Sequence, residues 1–326
     1  MAEARVLVTG STGCIGSATV NWLLDNGVDE VVGFNRSDPG PTKDSRHRNL
    51  QGDVTDQAAL QEVLRHLCPS HVIHLAALQT PECRDHPFRG MEVNLVGTVN
   101  LCRACASLDK PLERFVFASS GGVFGPRSTY GPAGVQPNDP YLPHSLYGYW
   151  KIGGEGVAQA FHQETGVPTA SLRLATTYGP GRDLGYTAAG TRALKAVALG
   201  VPFAIPYKGS EHYHFVDDVG AGFGCAALHP FSGHEAFNLR GETRTVEQFL
   251  ELLHETAGAC GIADQCKVHV ASDAEETPFV YELNADSAVA AFPEMPLTNI
   301  KEGLRISLKY YLAAAEAGEL SMSDLH

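Results

Sequence analysis

The segment LYGYWK, residues 146 to 151, contains a tyrosine and a lysine four positions apart, Tyr147 and Lys151. In a helix these two side chains lie on one face, one turn apart. A phenol normally titrates near pH ~10, and a neighbouring ammonium group stabilises the phenolate and lowers that pKa. The pair therefore predicts proton transfer to and from a substrate alcohol. The same spacing also occurs in ordinary surface pairs, so the rest of the chain has to decide between the two.

A glycine-rich turn follows the first predicted strand. The segment ARVLVTG is typical of a buried strand, GSTGCIG of a turn, and TVNWLLDNG of a helix that ends at Gly27, before a second strand, EVVGF. In this order of elements, Gly10, Gly13 and Gly16 permit a tight turn, the approach of backbone amides to a pyrophosphate, and close packing of helix on strand. The pattern predicts dinucleotide binding, with a purely structural turn as the alternative.

The residues after the second strand bear on the choice of cofactor. Many dinucleotide-binding folds carry an acidic residue here for the ribose hydroxyls of adenosine, whereas this chain has Asn35 followed by Arg36. A guanidinium group beside a neutral residue suits a 2′-phosphate, because it binds phosphate through paired charged hydrogen bonds. We therefore expect NAD or NADP, with a preference for NADP, although Asp38 lies close by.

Predicted strands and helices alternate along the first half of the chain. The segments at 71–77 and 114–120 are typical of buried strands, and a long helix is predicted through MEVNLVGTVNLCRACASL. This alternation predicts an α/β fold, a doubly wound parallel sheet of the Rossmann type, with a smaller C-terminal substrate-binding lobe. We expect residues 1–175 to form mainly the dinucleotide-binding domain. Residues 176–326 are expected to form mainly the substrate-binding lobe, with some segments returning to the sheet.

Composition limits the classes of partner. The chain has 326 residues, a formal net charge of −13 and 44% hydrophobic residues, which is typical of a soluble globular protein. The charge argues against nucleic acid and acidic membranes as partners, and no apolar run reaches the ~18 residues of a membrane span. The N-terminal sequence leads directly into a strand, so we expect a cytoplasmic protein. We expect Cys102 and Cys105 to be buried reduced thiols, and no metal at His212 and His214, which lack a further ligand at suitable spacing.

An ordered set of motifs runs through nearly the whole chain. Besides GxxGxxG at 10–16 it comprises GDVTD at 52–56, HLAA at 74–77, NLVGT at 94–98, SSGGVFG at 119–125, RLATTYGPG at 173–181, HFVDDV at 214–219 and FNLRG at 237–241. Together these motifs resemble the extended branch of the short-chain dehydrogenase/reductase superfamily, the NAD-dependent epimerase/dehydratase family. Tyr147 follows Ser120 at the distance that this branch shows between its serine and its Tyr-x-x-x-Lys. The resemblance implies an NAD(P)-dependent enzyme with Ser120, Tyr147 and Lys151 as catalytic residues.

The resemblance also implies which residues line the cleft. Those expected to contact the cofactor lie in the glycine turn, at the strand ends and beside the catalytic residues: Gly10, Thr12, Gly13, Cys14, Ile15, Gly16, Asn35, Arg36, Asp53, Val54, Leu75, Ala76, Ala77, Asn94, Ser119, Tyr147, Lys151 and Tyr178. From their polar groups and their places beside the strand ends and in the segment after residue 175, the residues expected to contact the substrate are Gln79, Thr80, Ser120, Gly121, Thr176, Arg182 and Thr187. Asn94 resembles the asparagine that ties its helix to the neighbouring strand, and Thr187 could equally cap the helix that follows it.

Two departures from the family pattern bear on the reaction. Nucleotide-sugar dehydratases usually carry an Asp-Glu pair after the serine-type residue, where this chain has Gly121 and Gly122. Glycine has no side chain to act as an acid or a base, so we expect no dehydration of that type. Nucleotide-sugar enzymes also commonly carry Arg-Asp-Phe before the VDD motif, and here the stretch is Glu211-His212-Tyr213. Since Glu211 would repel a phosphate, we expect a smaller substrate such as a sugar, a sugar acid or a hydroxy acid.

Three hypotheses for the function remain open. The first is an NAD(P)-dependent oxidoreductase that acts on a secondary alcohol of such a small substrate. The second is a sugar or nucleotide-sugar epimerase with tightly held NAD, which uses the same three catalytic residues. The third is a non-catalytic NAD(P)-sensing binding protein, which the pair of Tyr147 and Lys151 disfavours. The resemblance further implies a homodimer that pairs through helices at about 88–108 and 147–165.

Overall fold

A parallel sheet lies at the centre of the fold. The computed structural model describes residues 4–38, 40–277 and 279–325. The strands are β1 (Arg5–Thr9), β2 (Glu30–Asn35), β3 (His47–Gln51), β4 (His71–His74), β5 (Arg114–Ser120), β6 (Thr169–Leu174), β7 (Thr176–Tyr178), β8 (Phe203–Lys208), β9 (Ser210–Phe215), β10 (His234–Asn238), β11 (Glu242–Thr245) and β12 (Val268–Glu276). Within the described residues the large sheet has seven strands, all parallel, in the order β3-β2-β1-β4-β5-β6-β10. The predicted doubly wound α/β fold is confirmed.

Helices cover both faces of this sheet. They are α1 (Cys14–Asp25), α2 (Gln57–Leu67), α3 (Thr80–Asp85), α4 (Pro87–Met91), α5 (Gly97–Ala106), α6 (Leu146–Thr165), α7 (Ala189–Leu199), α8 (Val216–Leu228), α9 (Val246–Ala259), α10 (Asp286–Ala291) and α11 (Ile300–Glu316). Val6 and Val8 of β1 pack in one core with α1 and α8, whereas Leu7 packs in another with α2, α5 and α6. Successive strand residues point to opposite faces, so a strand buried on both sides needs apolar side chains throughout.

The strand order reverses between β1 and β4. From β1 the chain continues outward to β2 and β3 and then returns to the other side of β1 at β4. In open α/β sheets ligands bind in the crevice at the carboxyl ends of the strands where such a reversal occurs. Thr9 and His74 end these two strands and are joined by a hydrogen bond of 2.7 Å. The residues that follow them, the glycine turn and the segment 75–77, therefore meet at one edge of the sheet.

A smaller lobe is built around a second sheet. In it β9 pairs with β7 in parallel and with β11 in antiparallel orientation, while β8 and β12 form a separate parallel pair. Helices α7, α9 and α11 pack over these strands around Phe249 and Leu304. Helix α8 and strand β10 return to the larger lobe, where α8 packs against α1 and β10 extends the large sheet beside β6.

The helix expected through 91–108 is interrupted. Helix α4 ends at Met91, a π-helical turn spans Glu92–Val96, and α5 begins at Gly97. At this turn the Asn94 side chain accepts a hydrogen bond from the N–H of Leu78 at 2.7 Å and donates to its carbonyl at 2.9 Å. The expected long helix is present, and the π turn within it brings Asn94 onto the segment after β4. Such turns occur frequently at functional sites.

Two further features concern the environment of the chain. In the described part of the chain, no helix combines the length and the apolar character that a membrane crossing needs.

The cysteines are free thiols. Cys102 and Cys105 are buried, and burial raises the pKa of both. A buried thiol with a raised pKa is chemically inert, so these two residues are packing residues, as expected.

Candidate active site

Tyr147 and Lys151 lie in the first two turns of α6. The helix begins after Ser145, whose Oγ accepts a hydrogen bond from the N–H of Gly148 at 3.1 Å. This cap fixes where the helix starts. The Nζ of Lys151 lies 5.5 Å from the ring centroid of Tyr147. The two side chains therefore share one helix face, as the spacing predicts.

Lys151 is held at the carboxyl end of β5. Its Nζ donates to the carbonyl of Ala118 at 2.7 Å and lies 5.1 Å from the ring centroid of Phe117. The residue is 3% exposed, and burial lowers the pKa of the ammonium group to about 8. Burial disfavours the charged form, but a pKa of this size still leaves the group charged at neutral pH.

Tyr147 keeps its proton at neutral pH. Desolvation of the half-buried phenol raises its pKa to about 12, while a hydrogen bond with Ser120 and the charge of Arg182 oppose this shift. Lys151 is not among the causes of this shift, and its ammonium group donates to Ala118. The phenol is a proton donor as it stands. It becomes a base when further positive charge approaches it.

Ser120 ends β5 beside Tyr147. Its Oγ accepts a hydrogen bond from the N–H of Gly122 at 3.0 Å, in the short 3₁₀ turn Gly121–Val123, and its proximity to the phenol opposes the rise in the pKa of Tyr147. A Cβ added at Gly122 would lie 3.3 Å from this Oγ and 3.8 Å from Cδ1 of Tyr147. Ser120 and Tyr147 therefore lie side by side, where both can reach one substrate oxygen, and a side chain at position 122 would press against both of them.

The glycine turn fits the pyrophosphate of a dinucleotide. Gly10 has φ +70°, and a Cβ at Gly16 would lie 2.1 Å from the carbonyl oxygen of Gly10. Helix α1 starts at Gly13 with no side-chain cap and has no acidic residue in its first turn. The N–H groups of Cys14 and Ile15 in that turn, together with the helix dipole, therefore suit an anionic group.

Asn35 braces this turn from the end of β2. Its Oδ1 accepts hydrogen bonds from the N–H and the Oγ1 of Thr12 at 3.2 and 3.1 Å, and its Nδ2 donates to Oγ of Ser11 at 2.8 Å. The next side chain, Arg36, is exposed, and no hydrogen bond or ion pair to it occurs among residues 4–38, 40–277 and 279–325. Asn35 therefore shapes the turn, and Arg36 is left to meet a ligand.

Asp53 and Val54 lie before α2, at the ends of β2 and β3. The carboxylate of Asp53 accepts hydrogen bonds from the N–H and Oγ1 of Thr55 at 2.9 and 2.8 Å, and from Nη2 of Arg89 at 3.0 Å. Val54 is buried. The carboxylate is fixed from several sides, so this segment is held firmly at the strand ends.

The segment 75–77 lies directly across the crevice from the glycine turn. The N–H groups of Leu75 and Ala76 donate to Oγ1 of Thr9 at 3.2 and 3.1 Å. A Cβ added at Gly10 would lie 3.0 Å from the Ala76 nitrogen, so the two strand ends are in direct contact. The Asn94 side chain holds Leu78 by two hydrogen bonds, and its Nδ2 also donates to Sγ of Cys83 at 3.4 Å.

Two residues expected at the cofactor lie elsewhere. The hydroxyl of Ser119 donates to the carboxylate of Glu155, on the side of β5 away from Ser120. Tyr178 is buried in the smaller lobe, where its ring packs edge-on against Phe249 with centroids 5.5 Å apart and its hydroxyl donates to the carbonyl of Ile300 at 3.4 Å. These side chains are tied into the packing, so the expectation that they contact the cofactor is not supported.

The residues expected at the substrate fall into two groups. Gln79 caps α3 and Thr80 begins it, both half-buried after β4, and Gly121 follows Ser120. The second group joins the smaller lobe: Nη2 of Arg182 donates to Oγ1 of Thr187 at 3.1 Å. Helix α7 is capped by Ala188 without a side-chain bond, so the alternative that Thr187 caps it is wrong.

Glu211 lies on β9 within this second group. It is 1% exposed, and its Oε1 accepts a hydrogen bond from Oγ1 of Thr176 at 3.1 Å. Burial raises the pKa of its carboxyl to about 7, although Tyr213, Thr176 and the charge of Arg182 oppose the shift. From the sequence this residue stood out only as one that would repel phosphate. Its alternation with Tyr213 on a buried strand was the signal that it faces the same side as that ring.

Glu211→Gln is expected to stabilise the fold at alkaline pH. The carboxyl has a pKa of 4.5 in the unfolded chain and about 7 in the fold, so the folded state binds more protons. Its cost to stability is therefore absent well below pH ~4.5 and grows as the pH rises to ~7, reaching about 3 kcal/mol. Urea unfolding should show a clear gain from the substitution at pH ~8 and a small one at pH ~5. Equal gains at both pH values would contradict a buried charge at this position.

A buried ion pair supports the catalytic helix from behind. Nη2 of Arg173 lies 2.8 Å from Oε2 of Glu155, with side chains 1% and 5% exposed. The hydroxyl of Tyr141 donates to Glu155 at 2.7 Å, and Nη1 of Arg173 donates to the carbonyl of Pro137 at 2.6 Å. This network joins α6, one turn beyond Lys151, to β6. This network was not among the features predicted from the sequence, although an arginine within the apolar strand TASLRL was a usable signal.

His212 and His214 alternate on β9. Nε2 of His214 accepts a hydrogen bond from the N–H of Ala175 at 2.9 Å, and its Nδ1 donates to the carbonyl of Arg240 at 2.9 Å. Both ring nitrogens are thus occupied. The described part of the chain contains no group of three histidine, cysteine or acidic residues that could hold a metal ion. His214 joins β9 to the segment between β6 and β7.

Comparison with known protein families identifies the chain. A model of the NAD-dependent epimerase/dehydratase family matches residues 6–239, a range that runs from β1 past β10 and includes the glycine turn, Ser120, Tyr147 and Lys151. The chain belongs to this family. It is an enzyme of the extended short-chain type, and the resemblance to the short-chain dehydrogenase/reductase superfamily is confirmed.

Several members of the family are similar over most of this chain. UDP-glucuronate 4-epimerase 2 of Arabidopsis thaliana is 27% identical over 96% of the chain and 77% of its own length. UDP-glucose 4-epimerase of Mycolicibacterium smegmatis is 31% identical over 81% of the chain and 85% of its own length. The solved structure of Thermus thermophilus UDP-glucose 4-epimerase in complex with NAD is 28% identical, with a TM-score of 0.78 over 95% of this chain and 99% of that one.

Proposed function

We propose that the protein is an NAD-dependent sugar or nucleotide-sugar epimerase. The observation that carries the proposal is the meeting of Tyr147, Ser120 and Lys151 at the carboxyl end of β5. From the sequence, a dehydrogenase of small substrates was the first hypothesis for the function and an epimerase the second. Relatives named as UDP-sugar 4-epimerases favour the second hypothesis. A non-catalytic binding protein is disfavoured, because the proton-transfer residues are assembled.

Each residue has a defined part in this reaction. The glycine turn and the ammonium group of Lys151 would hold the cofactor, which supplies a hydride acceptor and donor when bound. Tyr147 takes the proton of the substrate hydroxyl and returns it to the carbonyl oxygen of the keto intermediate. Ser120 donates to that oxygen and fixes its position. Epimerisation requires the keto intermediate to rotate in the site between these two steps, so that the hydride returns to its opposite face.

The turn after Ser120 argues against dehydration. An acid or base at this place would stand on Gly121 or Gly122, which carry no side chain. A Cβ at Gly121 would lie 3.1 Å from Val280, so the wall is already packed behind it.

The proposal is tested by following the product and the cofactor separately. Protein purified without added nucleotide is denatured, and any released NAD is measured. The native protein is then incubated with UDP-glucose, UDP-glucuronate, free sugars and sugar acids, and the products are resolved by chromatography. An epimerase converts one of these into its epimer with no net change in reduced-nicotinamide absorbance. Stoichiometric reduction of added NAD by a substrate, with no epimer formed, would refute the proposal.

A dehydrogenase of small hydroxylated substrates is the second candidate. The buried Glu211 favours it, because this residue stands where nucleotide-sugar enzymes of the family commonly have an arginine. A carboxylate there opposes a diphosphate. The same assay separates the two candidates, since a dehydrogenase gives net reduction of the cofactor.

Arg36→Ala is expected to lower any preference for NADP. We propose that the exposed guanidinium at the end of β2 contacts a 2′-phosphate, since no other side chain engages it in the described residues. Loss of a charged bidentate contact should weaken NADP binding by roughly 10- to 100-fold and leave NAD binding unchanged. Titration of both cofactors by fluorescence measures this. Arg65→Ala, an exposed arginine on α2, is the control. Equal effects of Arg36→Ala on NAD and NADP would refute the assignment.

We also propose a homodimer in the cytoplasm. Phe88 and Tyr149 are 80% and 55% exposed and lie on α4 and α6, which pack against each other. Val96, on the adjoining π turn, is 39% exposed. Exposed apolar side chains on neighbouring helices are typical of a subunit interface. Light scattering of the purified protein measures the mass in solution.

A further inference from the structure

Glu211 is a buried carboxylate without a counter-ion. None of the ion pairs formed within residues 4–38, 40–277 and 279–325 includes it. Its Oε1 accepts a hydrogen bond from Thr176, and Tyr213 also stabilises the charged carboxyl, but Oε2 is buried and accepts no hydrogen bond in the described part of the chain. An unpaired buried carboxylate oxygen is unfavourable. A group outside the protein that donates a hydrogen bond would satisfy it.

Arg182 offers a buried hydrogen-bond donor near the unpartnered oxygen of Glu211. Arg182 acts on the carboxyl of Glu211 through its charge, and its Nη2 donates to Thr187. The Nε of Arg182 is buried and has no partner among the described residues. The site therefore offers one unused acceptor and one unused donor. Two neighbouring hydroxyls of a carbohydrate can satisfy both, since a hydroxyl both donates and accepts.

Aromatic side chains form a wall beside these groups. The rings of Tyr186 and Tyr207 are stacked with centroids 5.1 Å apart, and Glu211 acts electrostatically on both phenols. Tyr186 is 47% exposed, whereas Tyr207 is 1% exposed. The two stacked rings thus extend from the protein surface at Tyr186 to the buried ring of Tyr207, on the side of the Glu211 carboxylate. Aromatic surface with a few polar groups is typical of small-molecule sites.

This group is connected to the reacting end of β5. Thr176, the partner of Glu211, lies two residues after Leu174, and Leu174 pairs in register with Ser120. The charge of Arg182 acts on Tyr147 as well as on Glu211. A substrate whose reacting hydroxyl meets Tyr147 therefore brings another part of the molecule towards Glu211.

We propose that Glu211 and Arg182 bind a pair of non-reacting hydroxyls of the substrate and exclude a diphosphate from this position. One hydroxyl donates to Oε2 of Glu211, and its neighbour accepts from Nε of Arg182. A diphosphate would bring negative charge against a buried carboxylate, where charges are poorly screened. The substrate is therefore a polyhydroxylated sugar or sugar derivative without a phosphate at this point. The inference rests on the proposed function, because it places a carbohydrate alcohol at Tyr147.

The test compares Glu211→Gln and Glu211→Arg with the wild type. D-Galactose, D-gluconate and UDP-glucose serve as probes, and both kinetic constants and the ligand-induced shift in melting temperature of the NAD-loaded protein are measured. Glu211→Gln should lower kcat/KM for the non-nucleotide probe by roughly 10- to 100-fold, mainly through KM. Glu211→Arg should shift the preference towards UDP-glucose. Glu251→Gln, an exposed glutamate on α9, should behave as the wild type.

The two readouts separate this inference from the proposed function. If a probe is oxidised without epimerisation but its KM still depends on Glu211, the proposed function fails and the inference stands. If Glu211→Gln leaves the KM and the melting shift unchanged for every probe, the carboxylate is structural and the inference is overturned. Failure of both non-nucleotide probes to stabilise the wild type also overturns it, whether or not UDP-glucose binds.

Discussion

Replacing Tyr147 by phenylalanine is expected to leave the fold and the cofactor affinity intact and to lower kcat by a factor of roughly 10² to 10⁴. The substitution removes one hydroxyl from a half-buried ring, which stays packed on α6. It removes the group that exchanges a proton with the substrate oxygen. Ser120 cannot replace it, because an alkyl hydroxyl is a far weaker acid than a phenol and does not exchange its proton as readily.

A neighbouring tyrosine provides the control for this experiment. Tyr149 is 55% exposed, lies two residues further along the same helix, and has no lysine four residues later. The Tyr149→Phe variant should therefore convert the substrate at the rate of the wild type. Cofactor binding is measured by fluorescence and turnover by product analysis. Wild-type activity in Tyr147→Phe would refute the proposed proton transfer by Tyr147, whichever substrate is used.

Arg173→Met should be the most destabilising of the substitutions considered. It leaves the carboxylate of Glu155, 5% exposed, without its partner in the core. Breaking a buried pair from one side costs about 3–5 kcal/mol, because the remaining charge has neither water nor a counter-ion. Urea unfolding gives the change in the free energy of unfolding. The double variant Arg173→Met, Glu155→Leu should recover a large part of the loss.

An exposed pair sets the scale for this loss. Arg305 and Glu302 form an ion pair on α11 with side chains 44% and 40% exposed, so Arg305→Met should change stability by less than ~1 kcal/mol. A loss of similar small size in Arg173→Met would show that Glu155 finds other donors, such as Tyr141 and Ser119. The support proposed for the catalytic helix would then have to come from elsewhere.

The sequence predicted the features that depend on short-range patterns. The apolar strands, the glycine turn and the pair of Tyr147 and Lys151 are each encoded by residues close together in the chain, so periodicity and spacing report them. The order of the motifs then indicated the family. The position of the catalytic helix also follows from a local signal, since Ser145 supplies its cap.

The sequence could not predict where a side chain turns once distant elements meet. Tyr178 and Ser119 carry groups that fit a cleft, but packing against Phe249 and bonding to Glu155 take them away from it. The interruption at Glu92–Val96 depends on the contact of Asn94 with Leu78, a segment outside the helix. Burial of Glu211 likewise depends on how β9 pairs with β7.

The return of α8 and β10 to the large sheet limits how this chain can be divided. A fragment that ended near residue 175 would lack both elements, and β6 would become an edge strand with its apolar face uncovered. Such a fragment would aggregate instead of binding a nucleotide. Chimaeras that exchange the smaller lobe between relatives must therefore cross over at several points, before β7, at α8 and after β10, and a single junction will not yield a folded protein.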